Sequence, residues 1–234
     1  MTNRLTCFFT LLLLPFSLNA QLRSVAEKAY AFEFSLGPSL VALNGETIRK
    51  DIRQPKISYA SKIALLFNLK NAISLNAKLL FERKGMRTRY DVWYYNPNID
   101  STGCSCTTSP GTTENNLNLN YITLAPNLRF HIPQSNFYLE AGPYASYLLK
   151  ANATRKNSWD GGRIHHYNIN TIKRFDAGIS LSVGYKVQVT QKLAIMLEAT
   201  DNFGLLNIKN SGIANLTVTT NALAFLASLQ ILLT

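Results

Sequence analysis

A chain of 234 residues that is 47% hydrophobic and only 16% charged is lean in charge beside the roughly 25% of an ordinary soluble domain. Its formal net charge of +11, from 24 basic against 13 acidic residues, would fit a nucleic-acid partner, but the export signal read at its start excludes one. Past that signal no stretch approaches the roughly 18 unbroken apolar residues of a membrane helix, Ala222 to Leu233 coming nearest and carrying Ser228 and Gln230.

Residues 1–20 read as the signal peptide. Arg4 supplies the positive start and Phe8 to Leu14 the apolar run, with only Thr10 polar. Pro15 breaks it, and Leu18-Asn19-Ala20 sets a small residue before a cut ahead of Gln21. Cys7 lies inside this segment, so no lipid-anchored cysteine is expected. Residues 21–234 read as one β domain, since all-β barrels of this size fold as single units.

The first predicted strand covers about Tyr30 to Leu43, where Phe32, Phe34 and Leu36 alternate with Glu33, Ser35 and Gly37. A charged loop, Asn44 to Pro55, leads to the second, about Lys56 to Leu69, with Ile57, Tyr59, Ile63, Leu65 and Phe67 on one face. Lys70-Asn71 is a tight turn of hairpin type. The third strand, about Ala72 to Arg87, sets Ile73, Leu75, Ala77, Leu79 and Phe81 against Ser74, Asn76, Lys78 and Glu82. A long loop is expected from Thr88 to Asn116. The fourth strand, about Leu117 to His131, loses its phase near Leu124-Ala125-Pro126, which predicts a bulge.

After a turn at Pro133 to Asn136 the fifth strand runs from about Phe137 to Ala151, with Glu140, Gly142 and Ser146 on its polar face. A third long loop, Asn152 to Thr171, precedes the clearest element of the chain. From Phe175 to Val189 apolar residues alternate without a break with small or polar ones, a period of two that belongs to a strand. The run is long beside the usual 5–6 residues of a strand, as a bilayer crossing requires. Thr190-Gln191 turns the chain into a seventh strand, about Lys192 to Thr200. A fourth loop, Asp201 to Asn215, leads to an eighth strand, about Leu216 to Leu233.

Joints that alternate long and short predict an all-β fold: an eight-stranded antiparallel up-and-down transmembrane β-barrel, with short periplasmic turns and long extracellular loops. Closure leaves no backbone donor unpaired in lipid. Aromatic residues fall at both sets of strand ends, Tyr30, Phe67, Phe130, Phe137 and Tyr185 at one and Tyr59, Tyr90, Tyr147, Phe175 and Phe203 at the other. Two such belts mark the membrane interfaces. A soluble periplasmic ligand-binding barrel would show the same alternation with its faces inverted. The polar face here holds Gly178, Ser180, Ser182 and Gly184, groups suited to the crowded interior of an eight-strand barrel.

That face also carries isolated charges of both signs, Glu33, Lys62, Lys78, Glu82, Arg129, Glu140, Asp176, Lys186 and Glu198. Buried charge is costly unless paired, so an interior network is expected, with Arg129 and Glu140 facing across one short turn. Its reading is structural, a salt-bridged plug of the lumen, set against the alternative of a proton or ion path.

Phe81 to Met86 (FERKGM), Tyr121 to Phe130 (YITLAPNLRF), Gly142 to Leu149 (GPYASYLL) and Asp176 to Val187 (DAGISLSVGYKV) together resemble the PorT-like small outer-membrane β-barrel proteins, with an architecture of OmpX type. The likeness implies an outer-membrane location in a Gram-negative envelope and carries over no catalytic residue. The ending Ile231 to Thr234 departs from the aromatic last residue common in such chains.

Few residues suggest chemistry. His165-His166 and Asp160 lack a spacing that would make a metal site or a catalytic pair, and Gly161-Gly162 is turn material. Cys104 and Cys106 are too few for a four-ligand zinc site, while a local or intermolecular disulfide remains open. No catalytic residue, metal or cofactor is expected. The loops are basic, with Arg49, Lys50, Arg53, Arg87, Arg89, Arg155, Lys156 and Arg163, which suits glycolipid phosphates. Trp93-Tyr94-Tyr95 suits an adhesive surface. The reading is a non-enzymatic outer-membrane barrel whose loops contact glycolipid or a partner. Its alternative is a narrow pore or an accessory of transport or secretion.

Overall fold

The computed structural model of the chain describes residues 30–45, 53–70, 72–100, 103–160, 164–168, 172–208 and 218–233. The segment read as a signal peptide lies outside them, as do Arg49, Lys50 and Arg163. Ten strands join in one antiparallel sheet. In chain order they are β1 (Tyr30–Gly45), β2 (Arg53–Gln54), β3 (Lys56–Lys70), β4 (Ile73–Asp100), β5 (Gly103–His131), β6 (Phe137–Asn157), β7 (Ile164–Asn168), β8 (Phe175–Gln188), β9 (Leu193–Gly204) and β10 (Val218–Leu233).

β2 and β7 are short additions to β4 and β6. The other eight close a ring in the order β1-β3-β4-β5-β6-β8-β9-β10, with β10 returning to β1 from Tyr30↔Leu233 to Gly45↔Val218. The fold is an eight-stranded up-and-down barrel. At the seam the ladder skips Gly37 and Pro38. Proline has no N–H to give, and a Cβ at Gly37 would lie 1.8 Å from the Phe225 carbonyl oxygen, so only glycine permits that approach.

The two faces separate cleanly through the middle of the wall. Leu36, Leu79, Leu181, Leu197 and Phe225 face outward, Leu197 with 61% of its surface exposed. Glu33, Ser35, Lys62, Ser180, Ser182 and Thr200 are buried inside. An apolar wall on the outside is what hydrocarbon demands, and the soluble barrel with inverted faces is thereby set aside.

Two expectations are corrected. The stretch Thr88 to Asn116 is not a loop: β4 and β5 stay paired through it, as far as Asp100↔Gly103. With the outer parts of β6 and β7 it forms a sheet that continues beyond the barrel wall, because nothing in the Tyr, Asn and Thr composition interrupts a ladder once its neighbours are in place. Nor is there a bulge at Pro126. The β5–β6 register is the same at Leu124↔Ala145 and at Leu128↔Ala141, and the shift lies instead at Asn120/Tyr121. Pro126 and Pro143 face each other across the unbonded interval, so two residues without an N–H share one gap.

The aromatic ends pair up: Tyr30 with Phe67 at 5.5 Å and Phe137 with Tyr185 at 4.9 Å at the turn end, Tyr147 with Phe175 at 6.5 Å opposite. Tyr90 departs from its expected place, standing half-buried on the projecting part of β4 opposite Thr113. An outward arginine in the lipid-facing band costs about 2–4 kcal/mol. Leu181→Arg is therefore expected to lower stability by about that amount in guanidinium unfolding from phospholipid vesicles. An unchanged midpoint would contradict the outward direction of this face.

Candidate functional site

The inward residues are held by the same alternation that builds the wall. Among the described residues nine charged side chains are buried, Glu33, Lys62, Lys78, Glu82, Lys84, Arg129, Glu140, Asp176 and Glu198. They fall into two layers.

In the layer nearer the short turns, Arg129 of β5 is the hub. Its Nη1 and Nη2 donate to the two oxygens of Glu33 on β1 at 2.6 and 3.0 Å, and its Nε donates to Glu140 on β6. The Tyr138 ring lies 4.2 Å from the guanidinium carbon. Lys62 of β3 donates to both oxygens of Glu198 on β9 at 2.9 Å. Lys78 of β4 pairs with Glu140 and, at 3.4 Å, with Glu198. Gln230 and Asn76 donate at 2.9 Å to Glu33 and Glu140, and the Tyr138 hydroxyl donates at 2.9 Å to Glu198. Three cations therefore meet three carboxylates, and each neutral donor shares an oxygen with a cation, Gln230 and Asn76 with Arg129 and Tyr138 with Lys62.

The second layer centres on Lys84 of β4, 3.0 Å from Asp176 of β8 and 3.3 Å from Glu82. Its ammonium sits 4.6 Å from the Tyr144 ring centroid and 5.2 Å from that of Tyr121. The second carboxylate of this layer is offset by neutral donors. Thr123 and Asn202 donate to Glu82 at 2.7 and 3.1 Å, and Thr220 donates to Asp176 at 2.6 Å.

Farther out the polarity of the wall reverses. Along β5, Thr123, Asn127 and Arg129 are buried while Ile122, Leu124 and Leu128 are exposed. Beyond Tyr121 the inward positions become Leu119 and Leu117, and the outward ones Asn120, Asn118 and Asn116. Leu43, Leu119, Tyr121, Leu148 and Ile208 meet in a buried apolar cluster, with Met86, Leu117 and Val218 packed against it. This cluster caps the ion layers on the outer side. The reversal also marks where hydrocarbon gives way to water, because an outward Asn ladder belongs to a wet surface.

A model of the family described as outer membrane protein beta-barrel domain matches residues 19–210. The chain belongs to that family. As an outer membrane β-barrel protein it lies in the cell outer membrane with its wall against lipid. No curated protein matches it in sequence. Among solved structures it is similar to Neisserial surface protein A, at 11% identity and TM-score 0.45, over 88% of this chain and 99% of that one. It is also similar to Ail, the attachment invasion locus protein of Yersinia pestis, at 10% identity and TM-score 0.40, over 88% and 100%. The outer membrane protease OmpT from Escherichia coli matches at 10% identity and TM-score 0.38, over 91% and 100%.

Within this outer membrane barrel, Lys186 stands half-buried at the turn end of β8, and among the described residues none of the ion pairs includes it. Lys84, absent from the sequence reading, shares the two-residue phase of Lys78 and Glu82, and that phase was the available signal. Tyr121, Tyr138 and Tyr144 were also missed as inward groups, since rings suggest belts before they suggest lumens.

The basic residues assigned to loops prove to be on strands where they are described. Arg87 and Arg89 are on β4, Arg155 and Lys156 on β6, and the backbone of Arg53 is in β2. Arg87 donates to Glu114 at 2.6 Å, and Arg155 to Asn115 at 2.9 Å. His165 and His166 are successive residues of β7, paired in the ladder with Arg155 and Thr154. Tyr94 stacks on Trp159 at 5.6 Å, and Trp93 is exposed. Asp160, Tyr95, Cys104 and Cys106 are described in their backbones alone, the cysteines within β5 opposite Ile99 and Pro97.

Two outcomes follow from these pairings. Removing one partner of a buried ion cluster leaves uncompensated charge and costs about 3–5 kcal/mol. Arg129→Met is expected to lose that much in guanidinium unfolding, and Glu33→Gln with Glu140→Gln in the same chain is expected to recover part of it. On the projecting hairpin, beyond the lipid-facing band, the hydrogen bond from Arg87 holds the Glu114 carboxyl below the usual carboxylate range. A group so depressed contributes stability above its unfolded pKa of about 4.3 and loses it as pH falls through the folded value. Amide-exchange protection of this hairpin, corrected for intrinsic rates, is expected to hold from neutral pH to about pH 5 and to fall below about pH 4. Glu114→Gln is expected to abolish that acid step.

Proposed function

We propose that the protein is a non-enzymatic, non-conducting barrel of PorT-like type, exported by a signal at 1–20. In this reading its lumen is a structural plug and its outer surface binds. The observation that carries it is the apolar cap of Leu43, Leu119, Tyr121, Leu148 and Ile208 over two layers of paired charge. Water and ions follow continuous polar paths, and a dry lid over neutralised carboxylates offers none. Basic residues at the outer rim, Arg49, Lys50, Arg53, Arg87, Arg89, Arg155, Lys156 and Arg163, meet glycolipid phosphates in this reading. The sheet raised by β4, β5, β6 and β7, with Trp93 exposed along it, supports a second reading as an accessory that docks an envelope or secretion partner.

Purified protein in a planar bilayer is expected to show no channel openings. Leu43→Ser with Leu119→Ser, which breaches the cap, is expected to show brief ones. Steady conductance of the unaltered protein would overturn the plug. Loss of an envelope phenotype on His165→Ala with His166→Ala would argue for an enzyme at the rim instead.

A further inference from the structure

The β3–β4 ladder ends at Ala60↔Glu82, and β2 takes over only at Gln54↔Arg87. Between these rungs the two strands part, at the level where the outer wall turns from apolar to polar. Three cations gather around the parting. Lys56 reaches past β4 and donates to the Asn118 side chain on β5. Asn118 is the ladder partner of Gly85, which has no side chain of its own to fill that face. Arg83 donates to Asn120 at 3.0 Å and to the Tyr59 hydroxyl at 3.0 Å, its guanidinium 4.7 Å from the Tyr59 ring centroid. Arg87, two places on from Gly85 and on the same face, holds Glu114.

The outward asparagines of β5 thus act as a rack. Asn120 positions Arg83, Asn118 positions Lys56, and Asn116 donates at 2.8 Å to the carboxylate that Arg87 holds. Among the described residues no carboxylate pairs with Lys56 or Arg83, so Glu114 is the one anion against three cations. Like charges held together by neutral amides are a preorganised anion site. On the membrane side of Arg83 lie the ladder partners Phe81 and Ile122, both exposed, with Phe81 stacked on Tyr59 at 6.3 Å, and Ile57, beside Lys56 in the chain, is exposed as well.

We infer that Lys56, Arg83 and Arg87 form a binding site for the phosphate of an outer-leaflet lipid headgroup, whose acyl chains lie on Phe81, Ile57 and Ile122. This rests on the reading above that the outer surface meets glycolipid, and adds to it a place and a mode. The ligand approaches from the side, within the membrane plane, and not from the external sheet. The apolar floor selects a phosphate that carries tails over a free one.

Detergent-solubilised protein is titrated by native mass spectrometry with a bisphosphorylated acylated disaccharide, with the same lipid stripped of its phosphates, and with inorganic phosphate. The phosphorylated lipid is expected to stay bound, the stripped lipid to bind at least tenfold more weakly, and inorganic phosphate not to compete at equal concentration. Lys56→Gln and Arg83→Gln are each expected to weaken retention about tenfold, the scale of one charge-assisted hydrogen bond. Arg89→Gln with Lys156→Gln, on the external sheet, is expected to weaken retention less than either, and Lys192→Gln, exposed at the short-turn end, is expected to leave it unchanged. A heat-modifiability shift on unboiled gels confirms that each variant is folded, and Arg83→Lys supplies a charge-keeping control expected to retain part of the binding.

Full retention by the folded Lys56→Gln and Arg83→Gln proteins would overturn the site. If the Arg89→Gln, Lys156→Gln protein alone lost the lipid, glycolipid contact would stand and this site would fall. If the unaltered protein bound neither lipid, both would fall. Equal binding of inorganic phosphate would refute the lipid as its source.

Discussion

Inside a bilayer no water is available to an unpaired N–H or C=O, and each such group left open costs several kcal/mol. Everything else in this molecule depends on that requirement. It forces β10 back onto β1, which makes the wall a ring, and a ring of eight strands encloses a lumen only as wide as its own side chains. Two gaps in the ladder fall where proline offers no donor, Pro38 at the seam and Pro126 against Pro143. The ring tolerates these gaps because the same strands stay bonded on their other edges, as Pro38 does to Tyr59 and Pro143 to Ile179.

Once the ring is closed, alternation assigns every second residue to a narrow, water-poor interior. A lone charge there costs several kcal/mol, while a pair with further hydrogen bonds comes close to breaking even. Matching of charges, more than their number, decides whether such a lumen is stable. Arg129 illustrates the solution, spending its fork on Glu33, its Nε on Glu140 and its π face on Tyr138. Glu140 stands on the neighbouring β6, but Glu33 sits on β1, so that ion pair ties β5 to a strand that is not its ladder neighbour. The apolar cluster at the outer mouth works in the same direction, since excluding water strengthens each of these pairs.

The outer surface obeys a different solvent at each level. Where Ile122, Leu124 and Leu128 meet hydrocarbon the wall is apolar, and where Asn116, Asn118 and Asn120 meet water it is an amide ladder. Arg83 and Tyr59 sit at the border, each satisfying a polar tip above an apolar body. Beyond the border β4 and β5 continue as a sheet with water on both sides, which no longer needs an apolar wall and so is free to carry Arg, Trp and Tyr. The binding surface proposed for this protein is the part released from the solvent constraint that fixes the rest.

Alternation from Phe175 to Val189 and its weaker echoes were enough to read eight strands, their faces and the barrel, because lipid outside and a crowded lumen inside each admit one class of side chain. The charges of the inner face were legible by the same parity, and Lys84 lay within reach of it. Which charges meet was not. Arg129 and Glu33 stand 96 residues apart, and only ring closure and strand stagger bring them together. Nor could the chain alone distinguish a loop from a continued hairpin at Thr88 to Asn116, since a polar strand in water carries no apolar face to betray it. The apparent fault near Pro126 had another origin, since Ala125 is an apolar residue on the inward parity, buried against Leu80 and Tyr144. The alternation is broken in composition only, while the register runs on unchanged. One-dimensional pattern therefore determined the wall, and three-dimensional closure alone decided the partners within it and how far it continues beyond the membrane.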